Sequence, residues 1–110
     1  MRRLTIDEGS VLLGTFLLVF NANQMVRRDV TEHLDAIDEV HDWVAFFDNS
    51  LCVVSPLSVD RLSKRLREAL PDLQFILSEL EEGKRNGWLP RSVWKFLRAS
   101  SGSHENTAAE

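Results

Sequence analysis

Residue types that could carry out chemistry are few and scattered along this chain. His33, His41 and His104 share no spacing used by metal sites, and Cys52 has no second cysteine to pair with. No glycine-rich phosphate loop, HExxH motif or GxSxG motif occurs. We therefore predict no catalytic residue, no metal and no cofactor. A role other than catalysis is favoured, although these residues do not decide whether the chain is an enzyme.

The remaining candidate for a polar site is the end of the first apolar run. Asn21 and Asn23 follow that run directly, at a position where a strand would end. With an acid from a strand edge they could form a small polar site. His41 and Asp42 precede another apolar run, but an adjacent pair cannot form a catalytic triad unaided.

Size and composition indicate one globular domain. The 110 residues carry a net charge of −4 and are 44% hydrophobic and 27% charged, which is ordinary for a soluble protein. The apolar run Val11–Phe20 is about half of the ~20 residues that a membrane helix needs. Asp7 and Glu8 precede it, where a secretory signal should be positive. We predict a buried strand there, a cytoplasmic location and no membrane association.

The order of the apolar runs predicts strand, helix, strand, strand, helix, strand. The predicted elements are a strand over 11–20, a helix over 24–37 capped by Asn23, strands over 43–47 and 51–54 joined by a hairpin, a helix between Ser58 and Pro71, and a strand over 73–80. This order is typical of a ferredoxin-like α+β fold, with an antiparallel sheet and two helices on one face.

The predicted domain covers residues 11–99, and a short third helix after Pro90 completes it. Residues 1–10 are expected to form a flexible arm or a short extra strand. Residues 100–110 are expected to be disordered, because their composition cannot form a core.

The predicted strands are apolar on both faces, whereas two helices can cover only one face of the sheet. The residues left uncovered, which we predict as an oligomer interface, are Val44, Phe46, Val54 and Ile76. A monomer rarely exposes so large an apolar patch. We predict a homodimer. Coverage by the third helix and coverage by an unidentified protein partner remain open.

Charge is segregated along the chain. Residues 29–48 hold seven acids and no lysine or arginine, whereas residues 83–98 hold five basic residues and no acid. The candidate contacts to an anion or a partner are Arg61, Lys64, Arg65, Lys84, Arg85, Arg91, Lys95 and Arg98. Trp88, Trp94 and Phe96 lie near five of them, as stacking platforms for nucleic acid would. A pI near 5.3 and the absence of an RNA-binding signature disfavour that interpretation.

Three segments resemble small ferredoxin-like proteins, including compact CRISPR-associated nuclease subunits and SinR-like proteins. They are residues 16–23, the hairpin over 43–55 and the helix over 59–66. In the nucleases the resemblance implies a metal-binding aspartate at the end of the first strand. Asn21 and Asn23 stand there instead, and an uncharged amide is a poorer magnesium ligand. What the resemblance still implies is pairing through sheets into a dimer.

These observations predict a small intracellular protein-interaction or accessory subunit that acts through self-association. The alternative is a nucleic-acid-binding relative of the nuclease group that has lost the metal site.

Overall fold

Residues 13–101 are described by the computed structural model of this protein. They form four strands and three helices. In chain order these are β1 (Gly14–Phe20), α1 (Arg27–Asp35), β2 (Asp42–Phe47), β3 (Ser50–Ser55), α2 (Val59–Ala69), β4 (Phe75–Glu79) and α3 (Arg91–Ser101).

The four strands form one antiparallel sheet in the order β2-β3-β1-β4. Leu17 of β1 lies opposite Cys52 of β3, and Leu18 lies opposite Leu77 of β4. The hairpin predicted between β2 and β3 is present, with Asp48 and Asn49 as its turn. The prediction of an α+β fold with an antiparallel sheet is therefore confirmed.

Helices α1 and α2 lie on one face of this sheet, which we call the helical face. Alternate residues of a strand point to the same face, so the odd-numbered residues of β3 and the even-numbered residues of β1 share this side. The buried residues here include Phe16, Leu18, Leu34, Leu51 and Leu66. Apolar side chains repeat on α1 and α2 at helical spacing, and their burial against the strands fixes both helices in place.

The two helix starts differ from each other. The hydroxyl of Ser58 accepts a hydrogen bond from the backbone N–H of Arg61 at 3.2 Å, so the predicted cap of α2 is confirmed. The predicted cap of α1 is wrong, because Val26 occupies that position and makes no side-chain capping bond. Asn23 instead donates its backbone N–H to the side chain of Asn21 in a local turn.

Helix α3 packs on the opposite face of the sheet, which we call the α3 face. Val93 and Leu97 are buried against Cys52, and Val44 and Phe46 are partly buried in the same cluster. This arrangement follows from the stripe on the helix, since residues four apart lie on one side. The third helix thus covers part of the second sheet face, which is one of the alternatives left open by the sequence.

The predicted N-terminal arm and C-terminal tail lie at the limits of the described structure. Helix α3 extends through Ser101, so the predicted tail begins about two residues too early. The rest of that tail and the predicted arm over 1–10 lie outside the described residues. No helix within residues 13–101 is long and apolar enough to cross a membrane.

Candidate interaction surfaces

The polar strand end joins two strands rather than forming an open site. The Asn21 amide nitrogen donates to the Gln74 side-chain oxygen at 3.0 Å, while its oxygen accepts from the backbone N–H of Asn23 at 2.9 Å. Both ends of the Asn21 amide are therefore engaged, the nitrogen in linking β1 to the chain entering β4 and the oxygen in the local turn after β1. Among residues 13–101, no cluster of three histidine, cysteine or acidic side chains could hold a metal ion.

The four residues predicted as an oligomer interface fall into two groups. Val44 and Phe46 pack against α3, and Val54 is only 2% exposed. Ile76 is 64% exposed, although it lies within β4 and opposite Val19 of β1. Val44, Phe46 and Val54 are therefore covered mainly by other residues of the same chain. Of the four residues predicted as an interface, only Ile76 is left largely exposed.

The eight basic candidates do not form one strip. Arg61, Lys64 and Arg65 lie on α2, on the helical face, whereas the other five lie on α3 or on the segment before it. Arg65 is engaged within the chain, where its guanidinium lies 3.0 Å from Glu39 and 3.3 Å from Glu68. The sheet separates the two groups.

The carboxyl of Glu39 responds to this pairing. Partial burial acts to raise its pKa, but the hydrogen bond and charge of Arg65 outweigh burial and hold the pKa below its usual value. One acid of the 29–48 segment and one base of α2 therefore balance each other within the same molecule.

The outer edge of β2 is protected against further strand pairing. The register between β2 and β3 shifts between Ala45 and Phe47, which marks a bulge. The Arg27 side chain donates a hydrogen bond to the backbone carbonyl of Phe47 at 2.9 Å. Asp42 and Asp48 bound the strand. Bulges and charges are the usual means of blocking an edge strand.

The outer edge of β4 has neither a bulge nor a side chain bonded to its backbone in the described residues, and its one charge, Glu79, lies at the end of the strand. The N–H of Asn21 bonds the carbonyl of Gln74 at 3.0 Å, and the N–H of Leu80 bonds that of Thr15 at 2.8 Å. Because bonded and non-bonded pairs alternate in an antiparallel ladder, the even-numbered residues of β4 face β1. The backbone groups of the odd-numbered residues point outward; these are Phe75, Leu77 and Glu79.

A groove of about 660 Å³ runs between this edge and α2. One wall is formed by Val59, Ser63 and Arg67, which follow one face of the helix. The other wall includes the partly buried side chains of Phe75 and Leu77. An extended segment placed beside β4 would therefore meet outward backbone groups and a groove of mixed character, in which Asp60, Arg67 and Gln74 lie beside the apolar side chains. Arg67 would lie at the end of the groove where β4 begins, since α2 and β4 are joined by a short turn.

A second open surface lies at the start of α3. Arg85 donates to the carbonyl of Leu97 at 3.2 Å, and Leu89 is partly buried against the cluster that α3 forms with Cys52. These contacts hold the preceding segment against the helix, and Trp88 between them is 96% exposed. Arg91 and Lys95 are exposed beside it. A groove of about 460 Å³ is lined by Leu89, Arg91, Trp94 and Arg98.

Cys52 lies at the centre of the α3 face and is buried. Burial raises the pKa of its thiol to about 11, although the positive charge of Arg85 acts in the opposite direction. The thiol is therefore protonated at neutral pH, and it is expected to be unreactive.

Sequence reasoning missed the exposure of Trp88 and the edge position of Arg67 and Glu79. Trp88 lies between Gly87 and Pro90, outside the helical stripe that buries Val93 and Leu97. That position in the sequence was the available signal that the Trp88 side chain is exposed. The edge residues could be recognised only from the strand order, which apolar runs alone do not specify.

Comparisons of the chain with family models, with curated proteins and with solved structures found no match.

Proposed function

We propose that this protein acts through self-association, as a homodimer in which β4 pairs with β4 of a second copy. The observation that carries this proposal is the open edge of β4. Its outward backbone groups have no strand partner within residues 13–101, and Ile76 beside them is largely exposed. Exposed edges of this kind are templates for pairing with another chain.

The backbone pattern favours one register. If Leu77 lies on a twofold axis perpendicular to the sheet, its outward N–H and carbonyl bond those of Leu77 in the second copy. Phe75 then lies opposite Glu79 of the second copy, and this pair is hydrogen-bonded as well. Every outward group of β4 is satisfied in this register. The result is a continuous eight-stranded sheet.

Charge supports the same register. The side chain of Glu79 shares the helical face with those of Phe75 and Leu77. In the second copy it would lie beside Phe75, at the end of the groove that Arg67 lines. The twofold axis creates this contact twice. Ile76 and its copy become diagonal neighbours on the α3 face, where each covers part of the other.

We infer further that the fold is ferredoxin-like, because β1 lies between β3 and β4 and each helix connects two strands that flank a third. The resemblance to CRISPR-associated nuclease subunits and SinR-like proteins remains a prediction. The internal hydrogen bonds of the uncharged Asn21 amide disfavour a nuclease metal site at the end of β1.

Sedimentation velocity of the full chain over a range of concentrations tests the dimer. The paired strand is short, so we expect a reversible dimer that dissociates on dilution. Ile76→Asp should yield a folded monomer, because a charge at a dry interface is costly. Phe47→Asp is the matched control, since Phe47 is 54% exposed on the protected edge. A monomer at high micromolar concentration, or equal effects of the two variants, would contradict the proposal.

A charge exchange tests the register. Arg67→Glu and Glu79→Arg should each weaken the dimer, because each places like charges together across the axis. The double variant restores opposite charges and should recover most of the affinity. Both side chains are exposed, so circular dichroism should show unchanged folding in all three variants. Additive losses without recovery would exclude this register.

A further inference from the structure

The segment before α3 presents a tryptophan to solvent in a defined position. Its two anchors are the Arg85 contact to the Leu97 carbonyl and the packing of Leu89 against the buried cluster of the α3 face. Trp88 lies between these anchors and is 96% exposed, the largest fraction among the exposed large apolar side chains of residues 13–101. A tryptophan side chain buries roughly 150–250 Å² when covered, so leaving it in water forgoes a large stabilisation. The ring is therefore available to a partner.

The charges next to this ring in the sequence have one sign. Residues 83–98 contain no acid. Arg91 and Lys95 are exposed and lie about 6 Å apart along the helix, which is slightly more than one turn. Neither forms an ion pair within the described residues. Two cations on one side of a helix, next to an aromatic ring, match a ligand with carboxylates on both sides of an apolar group.

The neighbouring groove has the right character for that apolar group. Leu89 and the partly exposed Trp94 supply apolar walls, while Arg91 lies at its border. Its volume of about 460 Å³ is large enough to hold an aromatic side chain. Tryptophan and arginine are also the residues that most often dominate protein interfaces.

We propose that Trp88, Arg91 and Lys95 form a docking site for an acidic protein segment that carries an aromatic or large aliphatic residue. A protein segment is favoured over nucleic acid because the whole chain is negative, at −4, with seven acids in residues 29–48. A long polyanion extends far enough to come close to these acids, whereas a short acidic segment meets only the local cations because more distant charges are screened.

This site is separate from the β4 edge and does not depend on the dimer. In the proposed dimer, the twofold axis perpendicular to the sheet places both α3 helices on the same side. The complex would then present two docking sites in one direction. A monomeric Ile76→Asp variant should retain binding at each single site, so failure of the dimer and failure of the docking site give different results.

The test uses the full chain and a synthetic peptide in which two glutamates flank one phenylalanine in a glycine and serine background. Binding is followed by calorimetry and by tryptophan emission, which should shift to shorter wavelength as Trp88 loses water. The same peptide with glutamines should bind at least about tenfold more weakly, because each charge-assisted contact is worth more than a neutral one. Trp88→Ala should remove most of the spectral shift.

Paired charge reversals give the matched control. Arg91→Glu with Lys95→Glu should weaken peptide binding about tenfold or more. Arg61→Glu with Lys64→Glu makes the same charge change on exposed residues of α2, across the sheet, and should change binding less than about twofold if only the local cations matter. Equal losses in the two pairs would overturn the proposal, as would a peptide that does not bind.

A single-stranded oligonucleotide titrated under the same conditions separates the other class of ligand. We expect weak retention that Trp88→Ala leaves unchanged. Binding tighter than that of the peptide, lost with Trp88→Ala and falling steeply with salt, would assign this surface to nucleic acid and overturn the proposal.

Discussion

The two faces of the sheet are built differently. On the helical face, thirteen residues from both helices, the strands and the adjoining turns form one buried cluster, whereas on the α3 face the buried apolar residues of the described chain are four: Cys52, Val54, Val93 and Leu97. The remaining apolar residues of the α3 face are partly exposed, and Ile76 is mostly so. The helical face is therefore expected to supply most of the folding free energy, while the α3 face leaves more of its apolar groups exposed.

Truncation on the helical face gives the largest expected effect. Leu34 is fully buried between α1 and the sheet. Leu34→Ala should lower the free energy of unfolding by about 3–5 kcal/mol, since lost burial and a new cavity both contribute. Urea denaturation followed by circular dichroism measures the change. A loss below about 1 kcal/mol would show that this cluster does not carry the stability.

The equivalent truncation on the α3 face should cost less. Leu97→Ala removes the same atoms from a smaller cluster that can close around the gap, so we expect a loss of about 2 kcal/mol. Amide hydrogen exchange adds a second measurement, because α3 should open at lower free energy than β1. If both truncations cost the same and α3 exchanges as slowly as β1, the two faces form one cooperative unit.

The thiol of Cys52 reports the integrity of the α3 face. Its pKa is raised to about 11 in the folded protein, so its contribution is complete below the unfolded pKa near 9 and is lost as pH rises through 11. At pH 11 the loss should be up to about 2 kcal/mol relative to neutral pH. Cys52→Ala should not show this part of the alkaline loss. A thiol reagent that labels the native protein rapidly at pH 8 would contradict the burial of Cys52.

The smallest effect concerns the exposed side of the helical face. The pKa of Glu39 is lowered, so its pairing with Arg65 contributes above the unfolded pKa and is lost as pH falls through the folded pKa. Glu39→Gln should therefore be slightly destabilising at neutral pH and equal to the original protein in acid. Both side chains are well exposed, so solvent screening keeps the difference small. A difference that persists in acid would point to packing instead.

The parts of this structure that follow from local sequence were the parts predicted correctly. The hairpin follows from two apolar runs separated by Asp48 and Asn49, and the start of α2 follows from Ser58. The start of α1 was missed because Asn23 uses its backbone in a turn with Asn21, a competition that a capping rule does not resolve. Features that depend on contacts between distant parts of the chain could not be predicted from the sequence. The division of the basic residues between two faces depends on where α3 packs, and the exposure of Trp88 depends on how its segment is anchored.

The hydrogen bond from Arg27 to the Phe47 carbonyl has a consequence for the size of any assembly. A sheet with two receptive edges can add copies without end and grow into a fibre. Here the outer edge of β2 carries a bulge and a side chain from α1 bonded to its last carbonyl, so pairing through β4 in the proposed dimer would leave only this obstructed edge for further growth of the described sheet. Association would then stop at two chains. Arg27 would then act as a chain terminator for polymerisation. It would do so from the β2 edge, on the opposite side of the four-stranded sheet from the β4 contact.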